Sequence, residues 1–301
     1  MITFFQLVFS GLSLGAIYAL IALGFVVIYR SSQVFNFAHG EFLTFSAYVM
    51  LALLNLKVPW GFALLGSMIA TGLLAAAIER FVLRSLVGRP VFVTIILTIF
   101  LGYLIQAAIM LAWGTDTKEM ATPWDVFGNF SFMKDELQIG YNEVATIVVG
   151  ALALLSFFVI QRYTRLGIGM RSTSNDQEAS LSLGIPVGKI FGATWFMAGV
   201  YAALAGLFLS LRPTPDFDTN LGYTALRAFP VVIIGGLDSA LGAVIAGVLL
   251  GVLEVLTQGY LNDMLGPFGN NFHIVFPYII MILFLIFRPY GIFGKKEVER
   301  V

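Results

Sequence analysis

Long apolar runs separated by short polar intervals follow one another along the whole chain. The runs cover about residues 4–29, 41–56, 60–78, 91–113, 143–160, 189–211, 225–236, 239–260 and 273–287. Most of them approach the roughly 20 residues that an α-helix needs to cross a hydrocarbon core about 30 Å thick. A β-barrel would instead show shorter segments of alternating polarity. The pattern therefore predicts an all-α polytopic membrane protein, in which residues 1–301 form a single transmembrane domain.

The run at about 225–236 is too short to cross a bilayer as one straight helix. About 12 residues at 1.5 Å per residue span only about 18 Å. The segment is therefore either a broken span or a re-entrant one. If it crosses, the chain has nine crossings and its N-terminus lies outside; if it re-enters, there are eight and the N-terminus lies inside. We expect about eight to nine transmembrane helices with broken or re-entrant segments.

Composition supports lipid as the main solvent of the chain. The sequence is 59% hydrophobic and 11% charged, whereas an ordinary soluble domain is roughly 25% charged. Its formal net charge of zero gives no electrostatic reason to expect nucleic-acid binding. Because there is no cysteine, disulfides, thiolate catalysis and Cys metal sites are excluded, and two histidines without clustered carboxylates argue against a metal site. We also find no P-loop pattern and no nucleophile–base arrangement, so we expect neither an enzyme nor a bound cofactor.

Basic residues predict the orientation of the chain, because cytoplasmic loops of membrane proteins carry an excess of Lys and Arg. With nine crossings, one side carries Arg30, Arg80, Arg84, Arg89, Arg162, Arg165, Arg171, Lys189, Arg288, Lys295, Lys296 and Arg300. The other side carries Lys57, Lys118, Lys134, Arg212 and Arg227. The richer side is the cytoplasmic one. A loop at about 162–188 and the C-terminus are then cytoplasmic, and an acidic loop at about 114–142 is external.

The longest polar interval on the cytoplasmic side runs from Arg171 to Ile185. Ser174 and Gln177 form a capping-box pattern, which is typical of a helix start. Asp176 and Glu178 then lie in the first turn, where the helix dipole favours anions, and Gly184 is placed as a stop signal. This predicts a short helix, with Ala179, Leu181 and Leu183 facing protein. The helix is either a docking site for a soluble partner or a solvated turn between spans.

The interval from Asn36 to Glu41 is too polar for hydrocarbon and too apolar for a free loop. Polar groups at membrane depth must face protein or water, so Asn36, His39 and Glu41 are candidates to line a translocation path. The alternative is a helix start that Asn36 caps, with Glu41 in the first turn.

Three further positions, Thr94, Thr98 and Pro230, have a functional and a structural interpretation. Thr94 and Thr98, one turn apart, either line a polar path or bond their own backbone. Pro230 is either a gate-side hinge or a structural kink. Glu254 we place near the outer leaflet as a snorkelling or loop-paired carboxylate. Rows of small residues four apart predict seams of close helix packing: Gly11, Gly15 and Ala19; Ala202 and Gly206; Ala243, Gly247 and Gly251.

The cytoplasmic loop carries a motif that resembles a known family. Thr164–Arg171, followed by Glu178–Ala179 and then Gly184–Ile185, resembles the cytoplasmic loop of ABC transporter permeases, most closely that of branched-chain amino acid uptake permeases. The sequence departs from the pattern at Ile168–Gly169 and at Ser180. Further stretches that look like this family are Gly15–Gly24, Asn36–Phe42 and Phe229–Ser239. The resemblance thus extends along nearly the whole chain.

The resemblance implies a function and a set of partners. It implies an ABC importer subunit whose loop inserts into a groove of an ATPase, with Arg171, Asp176, Glu178, Ala179 and Gly184 as coupling residues. ATP and Mg²⁺ would bind to two such ATPase subunits and not to this chain. A second permease (or a second copy), an external substrate-binding protein and the bacterial inner membrane complete the expected surroundings. The expected substrates are branched-chain amino acids, or urea, amides or aromatic acids; the alternative function is an ion-coupled carrier or channel.

Overall fold

The computed structural model describes residues 2–33, 35–86, 90–132, 137–264, 266–269 and 271–294. Its helices are α1 (Ile2–Ser32), α2 (His39–Asn55), α3 (Trp60–Phe81), α4 (Val91–Trp113), α5 (Tyr141–Tyr163), α6 (Arg165–Asn175), α7 (Gln177–Ser182), α8 (Val187–Leu209), α9 (Leu221–Ala225), α10 (Phe229–Gly235), α11 (Ala240–Leu256), α12 (Asn262–Met264) and α13 (Phe272–Phe287). The basic residues Arg89, Lys134, Lys295, Lys296 and Arg300, which contributed to the predicted orientation, lie outside the described residues.

Six of the described helices are long and apolar enough to cross a membrane: Ile2–Ser32, Trp60–Leu86, Val91–Trp113, Tyr141–Tyr163, Val187–Leu209 and Ala240–Leu261. Two shorter apolar helical stretches are Leu221–Gly235 and Phe272–Phe287. The predominantly helical class is therefore confirmed. Within the run at 225–236, a 3₁₀ turn at Leu226–Ala228 separates α9 from α10.

Four short strands interrupt the helical pattern. β1 (Lys118–Glu119) pairs with β4 (Asp216–Phe217), and β2 (Asn129–Phe132) pairs with β3 (Leu137–Gly140), both antiparallel. The expectation of an all-α chain was therefore too simple in the interval at 114–142. Polar and apolar side chains alternate along β2, as is typical of a β-strand. The alternation covers only four residues, which is too short to predict a strand by itself.

The chain divides into two compact units. The first contains Met1–Val26, Trp124–Ala151 and Arg227–Val301. Within it α1 packs directly on α11: a Cβ on Gly15 would lie 2.8 Å from Cα of Val248, and a Cβ on Gly247 would lie 2.7 Å from the backbone nitrogen of Ala19. Because side chains would not fit there, the small residues let the two backbones touch, and the predicted seam is confirmed.

The second unit contains Val27–Pro123 and Leu152–Leu226. Its centre is α8, which packs on both α2 and α3. A Cβ on Gly199 would lie 2.7 Å from the carbonyl oxygen of Thr71 in α3, and a Cβ on Gly206 would lie 2.9 Å from Cα of Leu43 in α2. This three-helix packing holds the polar groups described next.

Candidate functional site

One face of α4 is polar or small and buried. Thr94, Thr98, Gly102 and Gln106 recur every four residues, so they share one side of the helix, and all four are buried. The residues Phe100, Tyr103 and Leu104 on other sides of α4 are exposed. From Thr94 to Gln106 the row spans about 18 Å at 1.5 Å per residue. The pair Thr94 and Thr98 is thus part of a longer polar face. The same four-residue spacing could have indicated Gly102 and Gln106, which sequence reasoning missed.

The segment that leads into α2 is fixed by two polar side chains. The Oδ1 atom of Asn36 accepts a hydrogen bond of 3.1 Å from the backbone N–H of Ala38. The hydroxyl oxygen of Thr98 accepts one of 3.2 Å from the N–H of Phe37. Asn36 therefore does stabilise a helix start, although the N-cap residue itself is Ala38, which makes no side-chain cap. Thr98 also donates to the carbonyl oxygen of Ile95 in its own helix at 2.9 Å, so both interpretations of this threonine apply.

Glu41 and His39 are both buried in the first turn of α2. The carboxyl group of Glu41 lies against two glycines: a Cβ on Gly222 of α9 would lie 2.6 Å from its Oε1 atom, and one on Gly102 of α4 would lie 3.8 Å from its Cγ atom. The hydroxyl of Thr44, one turn further along α2, interacts with this carboxyl group, although no hydrogen bond of ordinary geometry joins them. The space for the carboxyl group thus exists because these neighbouring positions carry no side chain.

The polar face of α4 continues into the segment around α9. The side-chain amide nitrogen of Gln106 donates a hydrogen bond of 3.2 Å to the carbonyl oxygen of Thr219. The Oε1 atom of Gln106 accepts a hydrogen bond of 3.4 Å from the hydroxyl of Tyr223. The structure therefore brings Asn36, Glu41 and Thr98 together with residues of α9 that sequence reasoning did not select. Pro230 is buried in the first turn of α10, in the other compact unit. Its missing N–H costs nothing there, because such N–H groups have no intrahelical partner.

The loop at 162–188 forms two consecutive helices. Thr164 caps α6 by accepting a hydrogen bond of 3.2 Å from the N–H of Gly167. The guanidinium of Arg171 donates to the carbonyl oxygen of Gln161 at the end of α5. Arg171 thus fastens α6 to the preceding helix.

The predicted short helix is α7, but its start differs from the prediction. Asp176 is the N-cap, and its side chain accepts a hydrogen bond of 2.9 Å from the N–H of Ala179. Ser174 was the wrong cap, because α6 continues through it to Asn175. Aspartate and serine are about equally good N-caps, so their order in the sequence could not decide between them.

The predicted end of α7 at Gly184 is confirmed. Gly184 has a φ of +79°, a left-handed conformation that glycine adopts without a Cβ penalty. Its N–H donates 2.9 Å to the carbonyl oxygen of Leu181, and the N–H of Ile185 donates 3.0 Å to that of Ser180. This pair of bonds is a Schellman motif, which closes a helix by satisfying its last carbonyl groups.

The apolar side chains of α7 do not face the rest of this chain. Leu181 is 60% exposed and Leu183 is 80% exposed, and Glu178 and Ala179 are exposed as well. The expectation that Ala179 and the two leucines face protein is therefore wrong within this chain. The helix is only six residues long, and Ser180 is its buried member. What remains is a small apolar patch at the end of a polar, capped helix.

A salt bridge connects the region just after α7 to α3. The guanidinium of Arg84 binds both carboxylate oxygens of Glu79 at 3.0 and 2.7 Å and donates a third hydrogen bond, of 2.6 Å, to the carbonyl oxygen of Gly188. Glu79 is only 2% exposed. Sequence reasoning assigned Arg84 only to a basic loop, because no local spacing indicates a bond to residue 188.

Glu254 was predicted to be a snorkelling or loop-paired carboxylate, and the structure corrects that interpretation. It is 3% exposed, and it accepts a hydrogen bond of 2.8 Å from the hydroxyl of Tyr18 in α1. A π-helical turn at Thr257–Leu261 follows directly. Among the described residues, no group of three His, Cys, Asp or Glu could hold a metal ion.

Taken with their apolar surfaces, the long helices define a multi-pass membrane protein. The model of a family described as "Branched-chain amino acid transport system / permease component" matches residues 7–285. The chain belongs to this family of transport permeases, and the resemblance seen in the sequence is confirmed.

Individual relatives agree with the family. The chain is 32% identical to the high-affinity branched-chain amino acid transport system permease protein BraD of Pseudomonas aeruginosa, over 99% of this chain and 98% of the relative. It is 28% identical to the corresponding permease protein LivH of Escherichia coli, with the same coverage. A shorter match, 28% identical over 56% of this chain and 38% of the relative, is to the permease protein LivM of Escherichia coli.

Proposed function

We propose that this chain is the membrane-spanning permease subunit of an ATP-driven ABC importer. It would form half of the translocation pathway for branched-chain amino acids or for a related small solute such as urea, an amide or an aromatic acid. The observation that carries the proposal is the family match over residues 7–285, together with near full-length similarity to permeases named for branched-chain amino acid transport. The chain itself would bind no nucleotide and catalyse no reaction.

The exposed end of α7 supports an ATPase as partner. A docking helix needs to be rigid and to present apolar area, because a few buried apolar anchors dominate most interfaces. The Asp176 cap and the Gly184 turn hold both ends of α7, while Leu181 and Leu183 stay uncovered within the described chain. Glu178 and Ala179 lie on the same exposed helix, and Arg171 braces α6 behind it. We infer that these residues couple ATP hydrolysis by two ATPase subunits, with Mg²⁺, to movement of this chain.

The other partners follow from the architecture of such importers. The match to LivM as well as to LivH favours a second homologous permease as the other half of the pathway, and two copies of this chain are the alternative. A periplasmic or extracellular binding protein would deliver the solute. We place the complex in the bacterial inner membrane, surrounded by lipid and without nucleic acid.

The pathway would pass along the polar faces of α2 and α4. Asn36, His39, Glu41, Thr94 and Thr98 are all buried in the second unit, although α4 presents apolar side chains on its other sides. Polar groups kept inside a membrane protein are expensive and mark solute paths. Pro230, in the first unit, would contribute at the break between α9 and α10.

The topology we propose has eight to nine transmembrane helices, one domain and a cytoplasmic C-terminus. The six long helices would be supplemented by α2, α13 and the broken α9–α10 segment. Fusion of a reporter that fluoresces only in the cytoplasm to the C-terminus tests the orientation. A dark fusion protein at full expression would reverse it.

Reconstitution tests the function. The chain is co-expressed with its companion permease, ATPases and binding protein, and uptake of radiolabelled leucine into proteoliposomes is measured with ATP inside or outside. We expect uptake that requires ATP on the α7 side and continues when ionophores dissipate ion gradients. Uptake without ATP that the ionophores abolish would establish an ion-coupled carrier instead.

The docking role of α7 is tested by Glu178→Arg in the same complex. We expect leucine uptake and substrate-stimulated ATPase activity to fall at least about tenfold, because a reversed charge at a docking surface costs several kcal/mol. Glu119→Arg, an exposed acidic residue of β1, is the matched control and should leave both unchanged. Equal activity of Glu178→Arg and wild type would refute the coupling role.

A further inference from the structure

Three side-chain oxygens on one face of α2 are buried without a hydrogen bond. Glu41, Thr44 and Tyr48 follow one another at spacings of three and four residues, so they lie on the same side of the helix. The Oε2 atom of Glu41, the hydroxyl of Thr44 and the hydroxyl of Tyr48 make no hydrogen bond of ordinary geometry among the described residues, although Thr44 is close enough to interact with the Glu41 carboxyl group. Seven residues of α-helix span about 10 Å. Buried polar atoms in native proteins nearly always have partners, so three orphans in one row require an explanation.

The carboxyl group of Glu41 is the costliest of the three. It is 7% exposed, and a buried carboxylate is unfavourable unless a cation or several donors compensate it. The ion pairs found in the described residues join Arg84 to Glu79 and Lys118 to Asp116, and neither involves Glu41. His39 is two positions earlier in the helix, and residues at that spacing do not face each other. The described chain thus supplies no cation to this carboxyl group.

The carboxyl group of Glu41 is closely surrounded, and the positions beside it carry glycine. Gly222 and Gly102 lie against the carboxyl group from α9 and α4, and a Cβ on either would enter or touch this space. At the far end of the row, the ring of Tyr48 packs against Trp113 at a tilt and against Phe217 edge to face, with centroids 5.7 and 5.1 Å away. One end of the row therefore carries a carboxyl group, and the other carries a ring within an aromatic cluster. That polarity matches an amino acid with a charged ammonium group and an apolar side chain.

We infer that Glu41 is the counter-ion for the ammonium group of the transported amino acid, with Thr44 and Tyr48 as further hydrogen-bond partners along α2. This inference rests on the proposed function, since it names the substrate group that one position of the pathway recognises. The buried carboxyl group costs stability in the substrate-free protein, and a bound ammonium group offsets that cost. The site recognises a primary ammonium group and is indifferent to Na⁺ and K⁺.

The test is Glu41→Gln in the reconstituted complex, with uptake of leucine from the loaded binding protein. We expect uptake to fall at least about tenfold, because a charge-assisted hydrogen bond is roughly twice as strong as a neutral one. Thermal stability of the variant should equal or exceed that of wild type, since an uncompensated buried charge has been removed. A structural defect would instead lower stability and uptake together and would overturn the inference. Glu254→Gln, which keeps an acceptor for Tyr18, is the control and should transport like wild type.

Two further arms separate the alternatives. Replacing Na⁺ and K⁺ by choline should not change wild-type uptake; a parallel loss would assign Glu41 to an inorganic cation and overturn the inference. Equal leucine uptake by Glu41→Gln and wild type would also overturn the inference, while leaving the importer function intact. Failure of wild type to transport any amino acid would instead contradict an amino acid as the substrate of the proposed importer.

Discussion

Glu41 and Glu79 are two buried carboxylates in the same compact unit, and their surroundings are opposite. Glu79, at the end of α3, is held by both nitrogens of the Arg84 fork, which also binds the carbonyl oxygen of Gly188. Glu41, at the start of α2, has glycines beside it and no ion pair among the described residues. The charge of Glu79 is thus compensated by Arg84 within the chain. For Glu41, we infer that the compensating cation is the ammonium group of the substrate.

The difference separates a structural carboxylate from a functional one. A buried ion pair contributes little net stability, yet removing one partner is strongly destabilising because it leaves an isolated charge. The buried Glu79 is therefore tolerated as long as Arg84 is present. A carboxylate that stays uncompensated costs stability at all times, and such costs persist where function requires them. Glu254 is a third buried carboxylate, and the hydroxyl of Tyr18 donates a hydrogen bond to it.

The largest effect is expected from removing the compensation of Glu79. Arg84→Ala should lower the free energy of unfolding toward the lower end of about 3–5 kcal/mol, because Arg84 is partly exposed and water screens some of the loss. The measurement is the midpoint of thermal unfolding of the purified chain in detergent. Arg165→Ala, an exposed arginine in the loop at 162–188, is the control and should stay within about 0.5 kcal/mol of wild type.

The double variant Arg84→Ala with Glu79→Gln sharpens the result. Removal of the orphaned charge should restore most of the lost stability, since the two residues act as a coupled pair. If the double variant is as unstable as Arg84→Ala, the third bond to Gly188 stabilises more than the ion pair does, and the contrast with Glu41 weakens.

Local sequence patterns predicted much of the framework that carries these residues. The apolar runs located the long helices, Pro230 coincided with the break before α10, and Gly184 marked the end of α7. These features depend on residues within a few positions of one another. The caps show the limit of such reasoning, since Ser174 and Asp176 are both good N-cap residues and the sequence alone does not decide between them.

The contacts that distinguish the buried carboxylates could not be predicted in this way. Tyr18 and Glu254 are 236 positions apart, and Arg84 and Gly188 are 104 positions apart. Nothing in the periodicity of one helix indicates which residue of another helix it meets. Asn36, Glu41 and Thr98 were selected for their polarity at membrane depth, whereas Gln106, Thr44 and Tyr48 became visible only once the faces of α2 and α4 were known.

An intermediate effect is expected from filling the space beside Glu41. In Gly222→Ala the added methyl group would lie 2.6 Å from Oε1 of Glu41 and 3.0 Å from the carbonyl carbon of Gly40, so α9 must move away from α2. Overpacking of this kind costs about 1–3 kcal/mol, and leucine uptake should fall with it. Gly61→Ala, where no atom lies within 4 Å, is the control. Wild-type stability and uptake of Gly222→Ala would show that the carboxyl group is not confined as described.

The smallest effect is expected at Glu254, which accepts a hydrogen bond from the hydroxyl of Tyr18. Tyr18→Phe removes the donor and keeps the ring, so the carboxylate of Glu254 loses one bond inside a buried site. That loss should cost about 1–2 kcal/mol, measured as thermal stability in detergent, while uptake stays within a factor of two. The control is Tyr163→Phe, an exposed tyrosine. A large loss of uptake at unchanged stability would move Glu254 into the class of Glu41, and the chain would then contain two functional carboxylates, one in each compact unit.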